Sequence, residues 1–163
     1  MSSYRLHYFP ESGNSYKLAL MLTLAKQFGR FGGETEQEQF ELLRWLFWDN
    51  HKLPGYMATY RYMRAFTPSP DEHVLKHFRK RLDDFLSILE QHIQKNAFAI
   101  GDRPTIADIS MMAYLHYPAD ETGYDLAASH PAINAWLKRM AKLPGWKSAY
   151  DLLPGKRLTH YAR

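Results

Sequence analysis

Gly101-Asp102-Arg103-Pro104-Thr105-Ile106-Ala107-Asp108-Ile109-Ser110-Met111-Met112-Ala113-Tyr114-Leu115 is the segment from which the architecture of this 163-residue chain can be built outward. Thr105 followed three residues later by Asp108 has the spacing of a reciprocal helix cap. The hydroxyl accepts from the backbone N–H at Asp108, and the carboxylate reaches back to the N–H of Thr105. The negative charge also suits the first turn's dipole. Behind the cap runs a nearly unbroken apolar stretch, Ile106 to Leu115, broken only by Asp108 and Ser110. A helix apolar on most of its faces has to be buried, so it is expected at the centre of a helical core.

Composition agrees with a globular, aromatic-rich chain. Apolar residues make up 45% and aromatic residues 15%, which separates it from disordered sequences. There is no cysteine, which removes disulfides, thiolate metal sites and a cysteine nucleophile together. The net charge is +4, from 21 basic and 17 acidic residues, with the signs interspersed. That pattern reads as ordinary solvation and not as a nucleic-acid footprint. No apolar run is long enough to span a bilayer and no signal core opens the chain, so a cytoplasmic location without membrane attachment is expected.

Outward from the core helix, the helical signals repeat. Thr35 and Glu38 form a second capping box, opening a long helix through Phe40, Leu43, Trp45, Leu46, Phe47 and Trp48. Pro54-Gly55 is expected to kink or break it before helix resumes from Tyr56. Ser69-Pro70-Asp71-Glu72 reads as a third cap. The helix it opens repeats Leu75, Phe78, Leu82, Phe85, Leu86, Leu89 and Ile93 at three and four, and carries Lys76, Arg79, Lys80, Asp83, Asp84 and Glu90 on a solvated face. His73 and His77 stand four apart, but no third ligand sits at a recognised spacing, so no metal site is expected. Pro131 opens a helix with Ile133, Trp136, Leu137 and Met140 on one face. Trp146, Ala149, Tyr150 and Leu153 continue the spacing, and the basic tail from Pro154 is expected to be loose.

At the other end, Tyr4–Phe9 reads as a short aromatic strand stopped by Pro10. Glu11-Ser12-Gly13-Asn14-Ser15 is a turn rich in capping residues, and helix follows from Tyr16. On the residues alone, Ser12 is a helix cap. A lone strand leaves its backbone groups unpaired, so Tyr4–Phe9 is expected to pair across a dimer or swap.

Three sets of residues together resemble the glutathione transferase family: G-D-R-P-T-I-A-D-I at 101–109, H-P-A-I-N-A-W-L-K-R-M-A-K-L-P at 130–144, and the S-G-N-S-Y-K-L opening at 12–18. The resemblance implies a mainly α fold. Residues 34–163 correspond to the all-helical C-terminal domain of that family, and residues 1–33 to a strand-plus-helix remnant of its thioredoxin-like, glutathione-binding domain. A segment similar to the family's domain exit (25–33) follows the first helix directly. No proline lies between Pro10 and Pro54, so the family's cis-proline turn has no counterpart here. Nothing from Gly13 to Gly33 resembles its Glu/Gln-Ser turn.

For function, the resemblance implies conjugation of the glutathione thiol to a small electrophile, with glutathione as co-substrate and a homodimer as the assembly. It places Ser12 at the catalytic hydroxyl, with Phe9 and Asn14 beside glutathione. A hydroxyl donor there lowers the pKa of a thiol that is otherwise protonated at neutral pH. Lys52, Tyr56, Tyr60 and Arg64 lie on one stripe at four-residue spacing and are assigned to the electrophile pocket. Tyrosines so placed also bury the ring and wet the hydroxyl with no ligand involved. The alternative is a non-catalytic helical interaction module built on the same domain.

Overall fold

A computed structural model describes residues 7–17, 19–20 and 31–161. Residues 13–17 and 19–20 are helical (α1). After Phe31 come α2 (Glu36–Lys52), a π-helical turn (Leu53–Ala58), α3 (Thr59–Phe66) and α4 (Glu72–Ile93). The core helix is α5 (Ile106–Met112), followed by the short α6 (Ala119–Thr122) and α7 (Leu126–Ser129), then α8 (Pro131–Met140) and α9 (Ala149–Leu152). The described residues are helical or irregular, so the fold is mainly α, as expected. No described helix is long and apolar enough to cross a membrane.

Every residue from Ala107 to Leu115 is buried. The Asp108 carboxylate accepts from the Thr105 N–H (2.8 Å) and hydroxyl (2.9 Å), from the Ala99 N–H (2.7 Å) and from the Trp136 indole (2.9 Å). One side chain therefore starts α5, closes the loop behind α4 and fastens α8. Burial pushes its pKa up, and the four donors oppose that. The amide of Ile106 donates to the Phe31 carbonyl, which ties the entry of α2 to the same point.

Several local expectations change once neighbours are present. Pro54 does not break its helix; the wider π turn absorbs the missing N–H, so α2 and α3 form one continuous run. The cap of α4 is Asp71, two residues beyond Ser69; its carboxylate accepts from the N–H groups of His73 (2.8 Å) and Val74 (3.3 Å). Glu90 leaves the solvated face: it is buried and takes the N–H groups of Ala132 and Ile133, both at 2.9 Å, at the first turn of α8. The strand over Tyr4–Phe9 falls largely outside the described residues. Its end, residues 7–9, is irregular and makes no ladder among them.

Burial of His116 beside the Trp146 ring (centroids 5.1 Å apart) lowers its pKa from 6.5 to about 4. The folded state thus binds fewer protons than the unfolded chain between those values. Stability is expected to be full above pH 6.5 and to fall by about 2–3 kcal/mol as pH drops to 4. His130, whose pKa is also lowered by burial, adds to the loss in the same direction. Thermal melts of His116→Gln should show a visibly shallower acid limb than the parent.

Candidate functional site

The turn Pro10–Asn14 packs against α3 and the end of α5, and between them lies a cavity of about 400 Å³. Its lining is Phe9, Glu11, Ser12 and Asn14 from the turn, Ala58, Thr59, Arg61, Tyr62 and Phe66 from the α3 run, and Tyr114 from the segment after α5. Phe9 and Tyr62, each 56% exposed, form an aromatic rim.

Ser12 is half-buried and caps α1: its Oγ accepts the Ser15 N–H at 3.1 Å, and its carbonyl accepts the Tyr16 N–H at 2.9 Å. Among the described residues the hydroxyl's own proton has no acceptor, so capping leaves the donor function free. Gly13 is set by contact, since a Cβ there would stand 2.6 Å from the Tyr114 ring. Burial raises the pKa of that phenol, keeping it neutral, with the Asn14 backbone hydrogen bond and the Arg61 charge opposing the shift.

Arg61 is the buried cation of the site, 2% exposed. Its Nε and Nη2 donate to Glu121 (2.8 and 2.5 Å), Nη2 also to the Tyr150 hydroxyl (2.8 Å), and Nη1 to the Glu11 carbonyl (2.8 Å). The guanidinium lies 3.5 Å from the centre of the Tyr117 ring. Its charge is therefore committed to Glu121, and it contributes rigidity more than a free binding group.

Of the residues assigned from sequence, Phe9, Ser12 and Asn14 meet at this cavity. Lys52, Tyr56, Tyr60 and Arg64 do not line it. Lys52 sits over the Phe85 ring at 4.6 Å, and Tyr56 packs on Phe78 and Phe85. Tyr60 is buried edge-on to Tyr124, and Arg64 donates to the Asp120 carbonyl. That stripe faces α4 and the α6 turn, where Gly123, at φ +70°, brings its backbone so close that a Cβ would meet Arg64 Nε at 2.7 Å. The face toward Ser12 is the next one round the helix, Thr59, Tyr62 and Phe66, which has the same kind of spacing in the sequence. Glu11, Arg61 and Tyr114 carried no local signal.

Among the described residues, no group of three or more His, Asp or Glu side chains is placed to hold a metal ion. Among the described residues, a helical bundle presents a serine turn to an aromatic helix, the architecture of a helical transferase domain. The family model "Glutathione S-transferase, C-terminal domain" matches residues 53–144, more than half of the sequence, and the chain belongs to that family. It is 24% identical over 134 residues to the disulfide-bond oxidoreductase YghU of Escherichia coli K12, covering 79% of this chain and 46% of the relative. The glutathione S-transferase structure from Pseudomonas fluorescens Pf-5 superposes with a TM-score of 0.74 at 21% identity, covering 86% of this chain and 95% of that one. The glutathione transferase YghU of Streptococcus pneumoniae, solved with glutathione, gives 0.66 at 21% identity, covering 86% and 55%. The chain spans about half the length of the curated relatives it first matches.

Proposed function

We propose that the cavity under the Ser12 turn binds glutathione and that the protein conjugates the glutathione thiol to a small electrophile. The observation that carries this reading is a serine hydroxyl whose proton has no acceptor among the described residues, set at the mouth of an aromatic-walled cavity. Ser12 donates to the sulfur and favours the thiolate, and Phe9 and Asn14 flank the peptide. The electrophile lies against Tyr62 and Phe66 on the α3 wall. The thiolate forms the carbon–sulfur bond as the electrophile loses its leaving group, and the thiol proton passes to solvent. Support comes from the family membership and from the relative solved with glutathione.

Ser12→Ala is expected to keep retention on immobilised glutathione while lowering turnover with an activated aryl halide about a hundredfold, the scale of one lost hydrogen-bond donor to an anion. Failure of the parent chain to bind glutathione, or equal turnover in the two proteins, would reject the proposal.

The same reading includes a homodimer. Phe40, Leu43 and Phe47 stand 60%, 47% and 72% exposed along the outer face of α2, and Ile88 on α4 is 50% exposed. Apolar side chains in a row at helical spacing call for a covering surface, and a second copy is the simplest one. Phe47→Asp should therefore convert dimer to monomer in sedimentation equilibrium; a monomeric parent would remove the basis for it. This stripe also favours the second reading, an interaction module without chemistry. That reading requires a stable assembly, no glutathione retention and indifference to Ser12→Ala.

A further inference from the structure

The C-terminal segment, expected to be loose, is bonded to both walls of the cavity. On the turn side, the Tyr8 hydroxyl donates to the Pro154 carbonyl (2.9 Å), and the Leu158 N–H donates to Glu11 Oε1 (2.8 Å). Arg157 approaches the same Glu11 carboxylate at 3.5 Å and Glu121 at 3.6 Å. Gly155 lies flush on Pro10, where a Cβ would stand 2.9 Å from the ring. On the helix side, the Tyr161 N–H donates to the Ala65 carbonyl at 2.8 Å, beside the cavity-lining Phe66.

The turn also receives bonds from beneath. Tyr117 donates to the Pro10 carbonyl (3.1 Å) and Arg61 to the Glu11 carbonyl. Glu11 is thus held twice, its carbonyl by the bundle and its buried carboxylate by the tail. Among the described residues no strand borders this turn, so side chains and tail amides take the role a sheet neighbour would fill. Two buried carboxylates, Glu11 and Glu121, face two guanidiniums, Arg61 and Arg157, and each charge is answered.

We propose that residues 154–161 form a strap that positions the Ser12 turn against α3, with Glu11 as the positioning residue through which it acts. This rests on reading the cavity as the site of chemistry. The strap sets the separation of the Ser12 hydroxyl from the Tyr62 and Phe66 wall without touching a reactant.

The test uses the full chain with Leu158→Pro, which deletes the N–H donated to Glu11, and Leu158→Ala, which keeps it. Leu158 is 42% exposed, so neither substitution opens a core cavity. Amide hydrogen exchange is read at Ser15 and Tyr16, whose N–H groups bond to Ser12, and at core positions of α4. Leu158→Pro is expected to speed exchange at Ser15 and Tyr16 about tenfold, with α4 and the melting temperature unchanged and Leu158→Ala like the parent. Turnover should fall with glutathione KM nearly constant. Unchanged exchange at Ser15 and Tyr16, or equal acceleration in α4, would overturn the strap. The exchange readout needs no glutathione, so a protein that fails to bind it yet loosens only at the turn would reject the transferase reading and keep the strap.

Discussion

Asp108→Ala is expected to remove about 4 kcal/mol or more of stability and to leave the chain largely unfolded at 37 °C, because four buried donors lose their acceptor together at roughly 1–3 kcal/mol each. The amides of Ala99 and Thr105, the Thr105 hydroxyl and the Trp136 indole all converge on that carboxylate. Asp108→Asn keeps one oxygen but turns an NH₂ toward donors, so it should recover only part of the loss. Urea unfolding followed by far-ultraviolet circular dichroism measures this directly, since the helices it reads are the ones that collapse. A midpoint for Asp108→Ala within a few tenths molar of the parent would show that the helix start is not the keystone described above.

Asp49→Ala comes second, with an expected cost of about 3–5 kcal/mol, the scale for stranding one member of a buried ion pair. Asp49 is fully buried in α2. Its Oδ2 accepts from Lys17 Nζ of α1 (2.8 Å) and from the Ser110 hydroxyl of α5 (2.5 Å), while Lys17 also donates to Ser110 (3.0 Å). Loss of the carboxylate leaves an ammonium in the core and detaches α1, and the Ser12 turn moves with α1. The pair Lys17→Met with Asp49→Leu should restore most of the stability, because apolar groups of similar volume escape the desolvation penalty. If the double variant were as unstable as Asp49→Ala, the charge argument would fail and volume alone would be at issue.

The positions of α2, α4, α5 and α8 were legible in the sequence because each is set by short-range rules. Thr35, Thr105 and Pro131 mark helix starts, and apolar residues at three and four mark the buried faces. The α4 cap lies two residues beyond Ser69 because the helix starts at Glu72, and Asp71 is the residue whose carboxylate reaches the N–H groups of its first turn, those of His73 and Val74. Ser12, Phe9 and Asn14 were legible as neighbours for a similar reason, since one turn carries all three.

The α3 wall was not. Tyr56–Tyr60–Arg64 and Thr59–Tyr62–Phe66 are equally good helical stripes, and the one meeting Ser12 depends on how the π turn after Lys52 rotates α3.

By itself, the sequence determined that this is a helical transferase-family bundle started at Thr105 and Asp108, with a serine turn ahead of it. Only the tertiary structure decided which face of α3 looks at that serine. It also decided that Lys17, Asp49 and Ser110 meet in the core, that Glu90 caps a distant helix, and that the tail returns to Glu11. Capping and amphipathic spacing are energies between residues within a few positions of one another. Pairings such as Lys17 with Asp49 or Glu11 with Leu158 join residues 32 and 147 positions apart, and their partners exist only once the chain has closed on itself.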